Sequence, residues 1–439
     1  MIKIECIPKN WKLVKVSEVG DLIRGINYKK EDATNSDKGN FVPILRANNI
    51  NGDLNYDDLV YVPRKYIRDE QLLKVHDILF AMSSGSKHLV GKSAKLTSSF
   101  SGSFGAFCAV FRPNAKVNRN YIAYYFQGPY YKQLISEISK GTNINNLKRE
   151  HILNLNLPLP PDYEQQQIVE KIEELFSELD AGRRQLEAVK KQLETYRQSV
   201  LHQAFTGRLV GTGRDLSDGS ILSSAATSLN ENNFSQLPEG WKWVKISDAG
   251  RIETGTTPSK KNLEFYSNDY PFYKPTDLEA NYNVRYSIDS LSEKGISKAR
   301  YLPENSILVT CIGATIGKSG IIRKAGAFNQ QINAIVPNDQ FDPNYIYYQV
   351  ISPKFQKSIK ENASSTTLPI LNKSKFMDLP LAYCPLLEQR QIVQEIESRL
   401  SVCNKLEETI ETCLQQSEAL KQSILKQAFE GKLVKPQTD

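Results

Sequence analysis

The chain has little of what metal-binding and secreted proteins require. It contains only four histidines, and its six cysteines form no Cys-x-x-Cys pair, whereas structural zinc sites need about four closely spaced ligands. We therefore predict no metal site and reduced thiols at Cys6, Cys108, Cys311, Cys384, Cys403 and Cys413. No apolar run reaches the ~18 residues that cross a bilayer, and residues 1–12 lack the apolar stretch of a secretory signal. We expect a cytoplasmic protein.

Motifs for nucleotide binding and catalysis are incomplete. Gly-Lys-Ser occurs at residues 91–93 and 317–319. A P-loop needs four residues between its first glycine and the Gly-Lys pair, and here five and three are found. The Asp/Asn-Pro-Pro-aromatic tetrapeptide of amino-methyltransferases is missing, and the one Asp/Glu-x-Lys starts at Glu430, beside a predicted helix end. We predict that the chain has no catalytic residues and no cofactor of its own.

The positive charge is concentrated in two blocks. Residues 1–162 carry a net charge of +8 and residues 237–386 one of +4, within a total of +7. A polyanion that contacts both blocks would explain this distribution. An ordinary solvated surface would explain it equally well.

The chain contains an internal repeat of about 225 residues. The two copies share a Pro-x-x-Trp opening, a Glu-Gln-x-Gln-Ile-Val segment and a Gln-Ala-Phe-x-Gly-Arg/Lys-Leu-Val ending. These motifs lie at residues 8–11 and 238–241, at 164–169 and 388–393, and at 203–210 and 427–434. Because the ends of the copies match while their interiors have diverged, the pattern indicates a common framework with two different specificities.

The gap-free part of each repeat predicts a long helix, over residues 163–207 and 387–431. In the first, apolar residues alternate by three and four positions from Ile168 to Val200, which indicates coiled-coil pairing. Arg399 and Ser417 interrupt the second seam, so we predict that it pairs with the first helix. The alternative is that each helix packs on its own domain.

The remaining segments predict an α+β (mixed α/β) fold. Residues 1–162 form a first module and residues 237–386 a second, with short β-rich runs at 107–111, 307–311 and 332–336. Residues 208–236 are rich in Ser, Gly and Asn, and we predict that they form a flexible linker.

The order module–helix–module–helix and the paired motifs resemble the specificity subunit of type I restriction–modification systems over essentially the whole chain. The resemblance implies that each module is a target recognition domain for one half of a split DNA site, and that the two helices pair antiparallel as a spacer. It also implies two methylation subunits and motor–nuclease restriction subunits as partners. S-adenosylmethionine, ATP and Mg²⁺ would bind those partners.

Candidate DNA-contacting residues are cations and amides in the loops, because Arg and Lys suit guanine edges or phosphates and Asn or Gln suits adenine. The candidates of the first module are Arg46, Asn48, Asn49, Lys87, His88 and Lys92. Those of the second module are Lys274, Thr276, Thr315, Lys318 and Gln330. Each could also be a solvated loop residue.

The repeated helix ends offer candidates for docking the methylation subunits, namely Gln203, Phe205, Gln427 and Phe429. The two phenylalanines could instead fill the junction between helix and module. At the level of the whole protein, one alternative is a coiled-coil scaffold that binds only proteins. Another is a fused nuclease or methyltransferase, for which the sequence offers no motif.

Overall fold

The computed structural model describes residues 7–83, 90–141, 146–209, 237–364 and 368–434. The chain forms two compact units, of which the first comprises Met1–Leu186 with Thr412–Asp439 and the second comprises Glu187–Glu411. Each unit therefore contains one module, the start of the long helix that follows it, and the end of the other long helix. The linker predicted at 208–236 lies almost entirely outside the described residues.

The first module is built from eleven short strands and three short helices in the described residues. The strands are β1 (Lys12–Lys15), β2 (Gly20–Arg24), β3 (Phe41–Leu45), β4 (Ile50–Asn51), β5 (Asp53–Leu54), β6 (Val60–Pro63), β7 (Ile78–Ala81), β8 (Ser93–Lys95), β9 (Ser103–Phe104), β10 (Cys108–Pro113) and β11 (Asn156–Leu159). The helices are α1 (Arg119–Tyr125), α2 (Pro129–Gly141) and α3 (Arg149–Leu153). The long helix α4 (Asp162–Ala204) follows.

The second module repeats this plan. Its strands are β12 (Lys242–Lys245), β13 (Gly250–Thr254), β14 (Tyr266–Tyr273), β15 (Asp289–Leu291), β16 (Tyr301–Leu302), β17 (Ile307–Thr310), β18 (Ser319–Ile321), β19 (Gly326–Phe328), β20 (Ile332–Pro337) and β21 (Pro380–Tyr383). Its helices are α5 (Ile246–Ala249), α6 (Glu293–Ile296), α7 (Pro343–Val350), α8 (Pro353–Asn362) and α9 (Lys373–Met377). The second long helix is α10 (Leu386–Phe429).

The sheets of the two modules have the same strand order. A four-stranded antiparallel sheet runs β2-β10-β7-β8 in the first module and β13-β20-β17-β18 in the second. A second sheet contains one parallel pair in each module, β3 with β9 and β14 with β19. The central strands are buried on both faces and rich in Ile, Val, Leu and Phe, as expected for strands between two packed layers. The mixed helix and sheet content confirms the predicted fold class.

The two long helices contact each other within each unit, and in the second unit the order of the contacts is antiparallel. In the first unit, Lys421 of α10 binds Asp180 of α4 at 2.5 Å. In the second unit, Lys190 and Arg197 of α4 bind Glu411 and Glu407 of α10, at 2.9 and 2.8 Å. A residue further along α4 therefore meets a residue further back along α10, which is the geometry of an antiparallel pair. No helix within the described residues is both long enough and apolar enough to span a membrane.

The start of each long helix is held to its module by an equivalent hydrogen bond, which is buried in the first unit and partly buried in the second. Trp11 Nε1 donates to Glu164 Oε1 at 2.8 Å, and Trp241 Nε1 donates to Glu388 Oε1 at 3.0 Å. A hydrogen bond to a charged acceptor is stronger than a neutral one. This pairing explains why the Pro-x-x-Trp and Glu-Gln motifs recur together in the sequence.

The core of each module is closed by the far end of the other module's long helix. Ile424, Leu425, Ala428 and Phe429 of α10 belong to the apolar cluster of the first module. The equivalent Val200, Leu201 and Ala204 of α4, together with Phe205 just after it, belong to the cluster of the second. The end of each long helix therefore packs into a core whose other residues lie far away in the sequence.

The turn after each long helix is also buried against a repeated motif. Gly431 has a φ of +69°, and a Cβ atom added there would lie 2.3 Å from Pro8 Cγ. Gly207 has a φ of +71°, and an added Cβ would lie 1.9 Å from Pro238 Cγ. Both the left-handed conformation and the close approach require glycine, which accounts for the glycine in each Gln-Ala-Phe-x-Gly ending.

Candidate nucleic-acid interface

The candidate site of the first module lies where the parallel strands β3 and β9 end. Carboxyl ends of parallel strands meet at one edge of a sheet, so the loops that follow them lie side by side. Arg46 follows β3 directly, and the turn of residues 105–108 follows β9. Arg46, Asn48 and Phe107 line an open cavity of about 800 Å³ at this edge, together with Asn27, Tyr28 and Lys30.

Arg46 and Asn48 share one acidic partner. Arg46 Nη2 donates to the carbonyl and to the carboxylate of Asp58, both at 2.9 Å, and Asn48 Nδ2 donates to the same carboxylate at 3.3 Å. About a third of the Arg46 side chain is exposed. The guanidinium is therefore held in a defined orientation at the cavity and remains partly exposed.

Asn49 was predicted to contact DNA, and in the structure its side chain is buried inside the loop. Its side chain is 1% exposed. Its Oδ1 accepts from Arg46 N at 2.8 Å, and its Nδ2 donates to the carbonyls of Asn55 and Asp57, each at 3.0 Å. Because these bonds use the amide's donors and its acceptor inside the loop, Asn49 shapes the loop and has no free edge for a base.

The second module has the same loop with different side chains. Lys274 follows β14 as Arg46 follows β3, and Asp277 Oδ2 accepts from Lys274 N at 2.7 Å, as Asn49 does from Arg46. Lys274 is paired with Asp289 and lies 5.6 Å from the Phe272 ring centroid. Burial, followed by the nearby Lys260, lowers the pKa of Lys274. Thr276 is exposed in the same loop.

The two Gly-Lys-Ser turns lie on β-hairpins. Gly91 and Gly317 adopt φ of +83° and +89°, and each is followed by a strand, β8 or β18. A P-loop leads into a helix, whereas each of these two turns leads into a strand. Thr315 is exposed in the second hairpin, whereas Lys87 and His88 lie outside the described residues.

The lysines of these turns are placed differently. Lys318 is paired with Glu279 at 3.1 Å, in the short 3-10 helix that begins at Asp277. Lys92 lines a second cavity of the first unit, which also contains Asp180 and Lys421 of the paired helices. The structure thus groups Arg46 with Asn48, and Lys274 with Thr276 and Lys318. It does not place Lys92 among the residues that line the Arg46 cavity.

Phe107 and Gln331 were not among the residues predicted from the sequence to contact DNA. Phe107 is 69% exposed at the Arg46 cavity. Gln331 is half-buried beside the exposed Gln330, whose side chain accepts a hydrogen bond from Thr257. Strand register makes Phe107 and Gln331 equivalent, because Ala109 pairs with Arg24 as Asn333 pairs with Thr254. The diverged sequences carry no motif that aligns these two positions.

Phe205 and Phe429 were predicted to bind partners, and in the structure both rings are buried within their own units. Phe205 is 8% exposed and packs on Tyr345, with ring centroids 5.4 Å apart. Phe429 is fully buried, at 5.0 Å from Tyr121 and 5.4 Å from Tyr125. Buried aromatic rings contribute to module stability and are inaccessible to a partner.

The glutamines of the same motif remain at or near the surface. Gln203 is half-buried and donates to Ser199 Oγ at 3.3 Å. Gln427 is exposed. Among the described residues, no group of three or more His, Cys, Asp or Glu side chains could hold a metal ion.

Comparison with known proteins identifies the family. The protein-family model described as "Type I restriction modification DNA specificity domain" matches residues 8–191 and again residues 238–416. These two matches cover most of the chain, and the protein belongs to this family. The resemblance inferred from the repeated motifs is thereby confirmed.

Named relatives match along nearly the whole chain. The specificity subunit of the type I restriction enzyme EcoKI from Escherichia coli (strain K12) is 31% identical, with 97% of this chain and 90% of the relative covered. The corresponding subunit of StySPI from Salmonella potsdam is 30% identical with the same coverage.

Two solved structures share the fold at 18% identity. One is a chain of the structure described as "Structural basis underlying complex assembly and conformational transition of the type I R-M system", with a TM-score of 0.71 and coverage of 97% of this chain and 99% of that one. The other is the HsdS subunit from Thermoanaerobacter tengcongensis, with a TM-score of 0.54 and coverage of 97% and 98%.

Proposed function

We propose that this chain is the subunit that selects the DNA sequence in a type I restriction–modification complex, by recognising a bipartite and asymmetric site. The observation that carries the proposal is the duplicated loop of the two modules, which has one backbone arrangement and two sets of side chains. Arg46 and Asn48 occupy it in the first module, and Lys274 and Thr276 in the second. Different side chains on one framework are what two different half-sites require.

A split site also requires a fixed distance between its two readers. Two protein elements that contact one face of a duplex address half-sites about 34–36 Å apart, which is one helical turn. Helices α4 and α10 contact each other within both units, in antiparallel order in the second, and each contains more than 40 residues. We infer that they act as the spacer.

The chain itself is proposed to be non-catalytic and to bind no cofactor. The family membership supports this, since the relatives are named as specificity subunits. S-adenosylmethionine, ATP and Mg²⁺ are assigned to partner subunits. Purified chain incubated with labelled S-adenosylmethionine and DNA is expected to transfer no methyl groups, and turnover without partners would contradict the assignment.

The partners proposed are double-stranded DNA, two methylation subunits and the restriction subunits. Two copies of one partner need the same surface in both units. Tyr163 and Leu387 meet this requirement, because they occupy equivalent positions in the first turns of α4 and α10 and are 53% and 71% exposed. An exposed apolar side chain that recurs at the equivalent position of both units gives two identical partners the same contact in each unit.

Replacing both residues with aspartate tests this docking surface. An acidic residue in the first turn of a helix is favourable, so Tyr163→Asp with Leu387→Asp is expected to leave the fold intact and to weaken binding of the methylation subunits at least tenfold in pull-down or calorimetry. Val402→Glu is the matched control, because Val402 is 57% exposed on α10 and its repeat equivalent is already Glu178. Unchanged binding in the double variant would exclude this surface.

Mapping methylated adenines in cells that carry the complete system tests the function as a whole. The expected motif has two unlike half-sites separated by an unspecified gap, and it disappears when this chain is deleted. A coiled-coil scaffold that binds only proteins would leave the motif unchanged on deletion. A continuous motif would contradict the bipartite proposal.

A further inference from the structure

The turn after β9 has its backbone held in place while its central side chain points outward. Met82 N donates to Phe107 O at 2.8 Å, and Cys108 N donates to Gly105 O at 2.8 Å. A Cβ atom at Gly25 would lie 2.0 Å from Gly105 O, so the neighbouring strand end is packed directly against the turn. The exposed Phe107 ring is therefore carried on a rigid support.

The turn after β19 repeats these contacts. Cys311 N donates to Gln331 O at 2.7 Å, and Ile332 N donates to Asn329 O at 3.2 Å. A Cβ atom at Gly255 would lie 1.9 Å from Asn329 O. The backbone of the two turns is thus the same, and the residue at the equivalent position changes from an exposed phenylalanine to a half-buried glutamine.

The surroundings of Phe107 and Gln331 differ, as their side chains do. Phe107 borders the open cavity that also contains Arg46 and Asn48. Gln331 Oε1 accepts from Asn329 Nδ2 at 3.0 Å, which orients its amide. An aromatic ring contacts a thymine methyl group, whereas an oriented amide suits the N6/N7 edge of adenine.

We propose that Phe107 and Gln331 are equivalent specificity-determining residues, one for each half-site. Phe107 makes an apolar contact with a thymine methyl group in the half-site of the first module. Gln331 forms hydrogen bonds with adenine in the half-site of the second module. This inference rests on the proposed function and adds the residues by which the half-sites differ.

The first test is methylation mapping with the complete complex carrying Phe107→Ala or Gln331→Ala. Each variant is expected to relax one position of one half-site, with roughly tenfold less discrimination, and to leave the other half-site unchanged. The two variants are expected to affect opposite half-sites. Val75→Ala is the control, because Val75 is an exposed apolar residue that precedes the opposite end of strand β7.

The outcomes separate this inference from the proposed function. If both half-sites keep their wild-type sequence in both variants, or if both variants alter the same half-site, the inference is overturned while a split wild-type motif still supports the function. A wild-type motif that is not split overturns the function itself.

Phe107→Leu keeps an apolar side chain and is expected to retain the wild-type half-site. Loss of methylation in that variant contradicts the methyl contact.

The second test removes the methyl group from the DNA. In binding assays with the assembled complex, each thymine of the mapped motif is replaced in turn by uracil. The wild-type complex is expected to lose affinity about fourfold at one position, which is the effect of one buried methyl group, and the Phe107→Ala complex is expected to be insensitive there. Equal sensitivity of both complexes at every position overturns the proposal.

Discussion

At the scale of single residues, the shared motifs of the repeat act mainly in stability. Trp11, Glu164 and their equivalents Trp241 and Glu388 join module to helix through one hydrogen bond each. Glu164 is buried and also accepts from Asn10 Nδ2 at 2.9 Å. A buried carboxylate is costly unless its oxygens are satisfied, so the tryptophan donor is required wherever the glutamate is present.

Trp11→Phe is expected to lower the free energy of unfolding by about 2 kcal/mol. It removes the donor to a buried carboxylate, and hydrogen bonds to charged groups contribute about 1.5–3 kcal/mol. Chemical denaturation followed by circular dichroism measures the change. Trp243→Phe serves as the control, because Trp243 is more than a third exposed. An equal loss in both variants would show that the effect comes from ring size and not from the hydrogen bond.

At the scale of elements, the end of each long helix belongs to a core that is remote in sequence. Phe429 lies more than 300 residues after Tyr121 and Tyr125, yet it packs on both rings. Tyr130 donates to Glu430 Oε1 at 2.9 Å in the same region. The first module is therefore complete only when α10 has reached its last turn.

Phe429→Ala is expected to destabilise the first module by about 3–5 kcal/mol, which is the usual cost of truncating a buried phenylalanine. Hydrogen exchange is expected to show lost protection in strands β7 and β10, while β17 and β20 of the second module keep theirs. Leu420→Ala, on the same helix but about half exposed, is the control. Uniform loss of protection in both modules would contradict the local role of this side chain.

At the scale of the whole molecule, the proposed function depends on the two long helices as a spacer. Inserting one heptad into α4 after Leu186 and another into α10 after Glu411 lengthens the pair by about 10 Å, or about three base pairs at ~3.4 Å each. Methylation mapping is expected to show the same half-sites with a longer gap. Changed half-sites with an unchanged gap would refute the spacer. A heptad in α4 alone is the control and is expected to abolish methylation, because it shifts the helix register.

Much of the fold followed from sequence because its signals are local. Three local signals predict the bounds of the long helices. They are the apolar seam of α4, the prolines before Asp162 and the glycines at 207 and 431. Strand β10 lies on one of the predicted β-rich runs for the same reason. The repeat was visible because the same contacts, such as the Trp–Glu hydrogen bond and the Gly–Pro packing, occur in both copies and use the same residue types.

The candidate site was only partly predictable, because side-chain roles depend on contacts that are not local. Arg46 and Asn48 line the cavity. Asn49 has similar chemistry, but its amide donates its hydrogen bonds to carbonyls of its own loop. Phe107 and Gln331 are equivalent only through strand register. The repeat, the long helices and the family resemblance could be predicted from the residues alone, since each depends on short-range patterns. That each module is closed by the other module's helix became visible only in the folded chain, because burial of Phe205 and Phe429 depends on distant parts of the chain.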